Sequence, residues 1–136
     1  MSGNSIHILD KDLSIIKHEL KVNSPFEACG VLVGLVDAND KNTVRVVCAV
    51  PIKNSNRTHR SFELDPAGFY KAWAGAEDEG LDIVGIYHTH PLSPARPSAW
   101  DLEYMQQEQN IWMIAGADGI FAYRWKDGGA QAVEII

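Results

Sequence analysis

The sequence predicts an α/β fold in which a mixed sheet is covered by three helices, and three observations lead there. The chain has 136 residues, 46% of them apolar and 22% charged, enough core-forming side chains for one compact domain spanning 1–136. Stretches with helical spacing interleave with alternating or continuous apolar runs, without the strict rhythm of a parallel βαβ sheet. Each expected helix also begins at a recognisable cap.

The elements follow in order. Residues 5–9 form a short leading segment. Asp10 is placed as the N-cap of a helix reaching about residue 22, with Leu13, Ile16 and Leu20 on one stripe. Ser24-Pro25 closes it, because the residue before proline avoids the helical region. Strands are expected at 28–36 and 43–52, joined by the turn-forming run Asp-Ala-Asn-Asp-Lys-Asn at 37–42. A polar loop at 53–60 leads to a short strand around Phe62. Asp65-Pro66 then starts a helix, with an N-cap followed by proline at the first helical position, and Phe69, Trp73 and Ala76 are its expected buried face. Gly80 ends that helix. Residues 81–90 contain the apolar run Ile83-Val84-Gly85-Ile86-Tyr87, read as a central strand. A third helix is expected over 98–109, followed by strands at 111–115 and 120–125 around the turn 116–119. An edge strand at 131–135 completes the set.

Composition excludes several classes of function. Twelve Lys and Arg against 18 Asp and Glu give a net charge of −6, and the pI is about 5.2, so the basic stripe needed to bind nucleic acid is absent. The longest apolar run, 30–36, is far short of the roughly 20 residues needed to span a bilayer. Residues 1–4 lack the basic-then-apolar pattern of a signal peptide, so a cytoplasmic location is expected. Cys29 and Cys48 are too few for a disulfide scaffold and have no metal spacing, and are read as buried thiols. A hairpin of 30–36 with 44–50 could nonetheless oppose them in a bridge, since opposed residues share a face.

His88-Thr89-His90 carries the chemistry. On a strand, residues i and i+2 face the same way, which sets two imidazoles side by side with Cα atoms about 6–7 Å apart. Eleven residues later stands Asp101, across a segment stiffened by Pro91, Pro94 and Pro97. Two histidines and one aspartate, with a fourth position left for water, make an open zinc site of the catalytic type. Ser98 and Asp101 equally fit a helix-capping box, and the two roles can coexist. His7, His18 and His59 have no ligand spacing and are read as surface or locally bonded residues.

The run His88-Thr89-His90-Pro91, six residues, Ser98, two residues, Asp101 resembles the signature of the JAMM (MPN+) metalloproteases, H-S/T-H-P-x6-S-x2-D. Glu27, before Ala28-Cys29-Gly30-Val31-Leu32-Val33-Gly34, stands where that family has its upstream glutamate. Asn54, Phe62 and Asp65-Pro66 are similar to the intervening stretch. Thr89, where serine is common, is expected to point away from the metal face. The resemblance implies a cytidine-deaminase-like domain with a mostly antiparallel sheet, and one Zn²⁺ held by His88, His90 and Asp101. It also implies Glu27 as the general base and Ser98 as a hydrogen-bond donor to the oxyanion. Zinc lowers the pKa of a water to about 7, and an apolar setting raises that of a carboxyl such as Glu27, which suits a proton shuttle.

Only 35 residues follow Asp101, leaving no room for the insertions with which larger deubiquitinases read chain linkage. The likeness is to the minimal prokaryotic form. It implies an isopeptidase acting after the C-terminal Gly-Gly of a ubiquitin-like β-grasp modifier, with no nucleic-acid or membrane partner. The alternative is release of an amino acid or peptide from a sulfur-carrier protein. A non-catalytic MPN scaffold, a RadC-like protein and a plain structural zinc domain are less favoured, because the ligand set is intact and open and the chain lacks a broad basic surface. The loop 53–60 is either a solvated loop or a dock for an acidic modifier. Oligomeric state is left open, a homodimer included.

Overall fold

The computed structural model describes residues 5–56, 61–108 and 110–136. The elements are β1 (Ser5–His7), α1 (Asp10–Asn23), β2 (Cys29–Val36), β3 (Thr43–Ile52), α2 (Pro66–Asp78), β4 (Asp82–Thr89), α3 (Ala99–Met105), β5 (Ile111–Gly116), β6 (Gly119–Lys126) and β7 (Gly129–Ile135).

The sheet is mixed, as expected, but it does not stay open. Its order is β1-β3-β2-β4-β5-β6-β7, closed into a barrel. β1 makes the closure, pairing parallel with β3 on one side, Ser5 opposite Thr43, and with β7 on the other, Ser5 opposite Glu134. The strand at 131–135, expected at an edge, is therefore bonded on both sides. Closure leaves few unpaired strand groups to template association. Of the remaining pairs, β2–β3, β2–β4, β5–β6 and β6–β7 are antiparallel, and β4–β5 is parallel.

β2 and β4 lie at the middle of the sheet and are covered on both faces, which is why both read as nearly continuous apolar runs. On one face Leu32, Val46, Tyr87 and Met113 pack with Ile16, Leu13 and Leu20, so the expected stripe of α1 is its buried stripe. Ala72 and Ala76 of α2 pack on Val31, Val33 and Ile52. α3 brings Met105, Trp100 and Leu102 to Ile86, Phe62 and Trp112.

Several expectations need correction. The N-cap of α1 is Leu9, whose side chain makes no cap; Asp10 and Asp12 sit in the first turn instead. Asp12 is buried and accepts the Ala49 N–H at 3.1 Å, so its carboxylate ties α1 to β3. No strand forms at Phe62. The loop closes through a single bridge between Asn54 and Leu64. α2 begins as expected, with Asp65 accepting the Gly68 N–H at 3.0 Å, but it turns its small residues to the sheet and leaves Phe69 and Trp73 partly exposed. α3 ends at Met105, because the polar run that follows carries no apolar stripe to hold further turns; Gln109 lies outside the described residues. Cys48 opposes Val33 and Cys29 opposes Ile52, a register that separates the thiols, and both are free. Cys29 is buried as expected, while Cys48 is only partly so.

Among the described residues no helix is long and apolar enough to cross a membrane.

Candidate metal centre

The centre forms where β2 begins and β4 ends. Antiparallel pairing sets Cys29 opposite His88, so the chain just before β2 faces the chain just after β4. Thr89 fastens the two. Its backbone N–H donates to the Ala28 carbonyl at 3.0 Å, and its Oγ1 accepts the Ala28 N–H at 2.8 Å. The Thr89 hydroxyl does turn away from the histidines, and in doing so it anchors the neighbour of Glu27. Asn54 holds the other side, with its Nδ2 donating to the Glu27 carbonyl at 2.8 Å. Glu27, His88 and His90 consequently present ligand atoms within 4.8 Å of one another, and all three are buried.

The proline-rich segment returns Asp101 to the same point. His90 N–H donates to Ala115 O at 2.7 Å, and the Tyr123 hydroxyl donates to Ala95 O at 2.7 Å. Ala95 N–H donates to Asp118 Oδ1 at 2.7 Å. Gly116 permits this close approach, since a Cβ there would come 2.5 Å from Ala95 N. The Pro94 carbonyl is thereby held 2.9 Å from His90 Nδ1. Ser98 then caps α3 in a complete capping box: Asp101 N–H donates to Ser98 Oγ at 3.1 Å and Ser98 N–H to Asp101 Oδ2 at 2.9 Å.

The donor groups of three residues close into a triangle, with both Asp101 oxygens taking part. His88 Nε2 and His90 Nε2 are 3.1 Å apart, Asp101 Oδ1 is 3.1 Å from the first and Asp101 Oδ2 is 3.1 Å from the second. Donors about 2.0–2.1 Å from a tetrahedral metal ion stand about 3.3 Å apart, close to this spacing. Hydrogen bonding of His90 Nδ1–H to Pro94 O leaves its Nε2 lone pair free to bind. The residues fit a metal ion.

The two carboxylates differ in charge state. Burial would raise the Asp101 carboxyl, but His88, His90 and the Ser98 N–H outweigh it and hold it well below the usual carboxylate range. Burial raises Glu27 to about 7, with the nearby His90 opposing and Asp101 adding to the rise. Burial also lowers His88 against the pull of Asp101. In His90 the same burial is overcome by Asp101 and the Pro94 carbonyl, which raise it. Glu27 Oε1 is buried with no hydrogen-bond partner. Asp101 is thus an ionised donor, and Glu27 a carboxyl that changes protonation near neutrality.

The five expected site residues come together: Glu27, His88, His90 and Asp101 at the centre, with Ser98 bonded to Asp101. His7 is half-buried and His18 exposed, away from this group. His59 and the cations Arg57 and Arg60 lie outside the described residues, which leaves the exposed Lys53 as the described cation of the loop 53–60. Sequence spacing did not reveal the supporting roles of Asn54 and Phe62, which the resemblance marked only as matching residues and which are distant in sequence from what they hold, nor that of the Pro94 carbonyl, four residues from His90. Asn54 carried one usable signal, a residue type that ties loops: its Oδ1 accepts from Asn56 and Glu63 N–H, each at 2.9 Å.

The chain matches the family described as prokaryotic homologs of the JAB domain over residues 11–127. It is 35% identical over 118 residues to a desampylase of Haloferax volcanii, covering 85% of this chain and 81% of that protein. A desampylase of Pyrococcus furiosus is 37% identical over 97 residues, 71% of this chain but 64% of its own length. The CysO-cysteine peptidase of Mycobacterium tuberculosis is 34% identical over 119 residues, covering 82% and 78% of the two chains. A solution structure from Desulfitobacterium hafniense superposes with a TM-score of 0.81 at 25% identity, covering 96% of this chain and 91% of the other. By the family match and these relatives, the chain belongs to the prokaryotic JAB branch of the JAMM family, and it carries the candidate triangle and its facing glutamate on that fold.

Proposed function

We propose that the protein is a zinc-dependent isopeptidase that cleaves after the C-terminal Gly-Gly of a ubiquitin-like β-grasp modifier. The observation that carries this is the pairing of the His88–His90–Asp101 triangle with a buried Glu27 whose Oε1 has no hydrogen-bond partner. Likeness to two desampylases supports the substrate class.

His88, His90 and Asp101 would hold the zinc, whose Lewis acidity would polarise the scissile carbonyl and acidify water. Glu27 takes the proton of the attacking water on its carboxylate and gives it to the departing amine, and its position near half-protonation at neutral pH suits both transfers. Ser98 Oγ accepts the Asp101 N–H, which leaves its hydroxyl hydrogen free to donate to the oxyanion developing on the substrate carbonyl. Thr89 and Asn54 keep Glu27 facing the pair of histidines. The two glycines before the scissile bond would let the substrate backbone come close to the centre, since they carry no side chain.

The CysO-cysteine peptidase likeness favours a second reading, release of an amino acid from a sulfur-carrier protein. Incubation with Gly-Gly-linked modifier–lysine conjugates and with carrier–cysteine adducts, each with and without chelator, separates the two. Chelator-sensitive cleavage of the lysine conjugates is expected. Cleavage confined to the carrier adducts would support the second reading, and no chelator-sensitive cleavage of either would contradict both.

A further inference from the structure

The two imidazoles of the triangle are oriented by different means. His90 Nδ1 lies 2.9 Å from the Pro94 carbonyl, the usual arrangement in which a ligand histidine gives its second N–H to an acceptor that fixes the ring. Among the described residues His88 has no such acceptor. Its Nδ1 is buried without a hydrogen-bond partner, although the whole residue is inaccessible to solvent. The ring's polar contacts are all made by Nε2, the atom a metal would take, at 3.1 Å to His90 Nε2 and Asp101 Oδ1; on the Nδ1 side no polar contact opposes rotation about χ2, and sp³–sp² torsions of this kind have broad wells.

Aromatic rings take the acceptor's place. Phe62 stacks on the His88 imidazole with centroids 4.5 Å apart and planes 24° from parallel, and Trp112 meets the same ring edge-on at 5.5 Å and 87°. Phe62 is braced in turn by Trp100 at 5.0 Å and Trp112 at 5.9 Å. Its chain position is fixed from the next residue, since Glu63 N–H donates to Asn54 Oδ1 while Asn54 Nδ2 holds the Glu27 carbonyl. One loop thus sets both the carboxyl and the ring that faces His88.

Resting on the metal-centre reading above, we propose that Phe62 is a positioning residue for metal binding. Its stacked ring holds the His88 imidazole with Nε2 directed at the triangle, the task that the Pro94 carbonyl performs for His90. A ring lost from this place frees His88 to turn away from the other two donors. The outcome is weaker metal retention, which a merely space-filling phenylalanine would not control.

The test uses the full chain loaded with Zn²⁺, with affinity and release rate measured by chelator competition and the geometry followed by the visible bands of the Co²⁺-substituted protein. Phe62→Leu is expected to weaken zinc binding about 10-fold or more, as loss of an orienting partner does elsewhere, and to alter the Co²⁺ bands. Phe62→Tyr, which keeps the ring, is expected to stay within about threefold of the parent. Ile16→Val, a core deletion in the α1 cluster, lowers thermal stability without touching His88 and should leave zinc binding unchanged. Should Phe62→Leu not fold, Phe62→Met fills the volume without a ring and takes its place. A folded Leu or Met variant that binds zinc within twofold of the parent, with unchanged Co²⁺ bands, would overturn the clamp alone. A parent protein that binds neither Zn²⁺ nor Co²⁺ would overturn the metal-centre reading and the clamp with it.

Discussion

The meeting point of β2 and β4 and the outer face of α2 invert each other. At the first, Glu27, His88, Thr89, His90 and Asp101 are polar or charged, yet each is at most 5% exposed. At the second, Phe69, Tyr70 and Trp73 are aromatic, yet they are 36%, 65% and 45% exposed. A buried polar group carries a cost of about 1–3 kcal/mol when unpaired, so most of the first region is organised around partners: a carbonyl for His90, two N–H groups for Asp101 and Ser98, a hydroxyl for Ala28; the exceptions are Glu27 Oε1 and His88 Nδ1. On α2 no such demand exists, because Ala72 and Ala76 already seal Val31, Val33 and Ile52. Burial in this protein follows position against the sheet, and residue type follows only where the position is covered.

Substitutions that sharpen this contrast are expected to fall in a definite order. Ser98→Gly removes the free hydroxyl while keeping a tolerated N-cap, so kcat should drop about 100-fold with stability changed by only a few tenths of a kcal/mol; steady-state kinetics beside thermal melts measures both. Thr89→Val orphans the Ala28 N–H and loosens Glu27, and should lower kcat about 10-fold with about 1–3 kcal/mol lost in stability. Thr89→Ser, which keeps the hydroxyl, should recover most of both. Metal content measured on the same samples should be undiminished, because His88 and His90 are untouched. Tyr70→Gln on α2 should shift stability by no more than about 0.5 kcal/mol and leave turnover unchanged. A large loss of activity there would break the contrast, by showing that the exposed aromatic face takes part in substrate handling.

What was legible in the sequence follows the same division. The period of two that aligns His88 with His90, the eleven-residue step to Asp101 and the cap at Ser98 are local regularities, and all reappear in space. The boundaries of β3 are as expected for the same reason, since alternating residues 44–46 and the Asp37–Asn42 turn are short-range signals. Closure of the barrel was not legible: it depends on three residues of β1 finding β3 and β7, pairings between segments far apart in the chain. On α2 the expected Ala76 is buried but Phe69 and Trp73 are not, because the helical period accommodates either the aromatic or the alanine stripe, and the space left above β2 and β3 decides in favour of the small one. Glu27 stood out only through the family signature, since a glutamate before an apolar strand is ordinarily solvated. Phe62 sits in a loop with no periodicity, so nothing in its surroundings marked it as a neighbour of His88.

The central claim is a division of labour at the centre, with His88, His90 and Asp101 holding zinc and Glu27 moving the proton. Elemental analysis paired with turnover of a Gly-Gly-linked conjugate, on the parent, Glu27→Gln and His88→Ala, tests it most directly. The parent should carry about one zinc per chain and cleave. Glu27→Gln should keep the zinc and lose cleavage by about 100-fold or more, while His88→Ala should lose both. Undiminished zinc in His88→Ala, or substantial turnover by Glu27→Gln, would contradict the account.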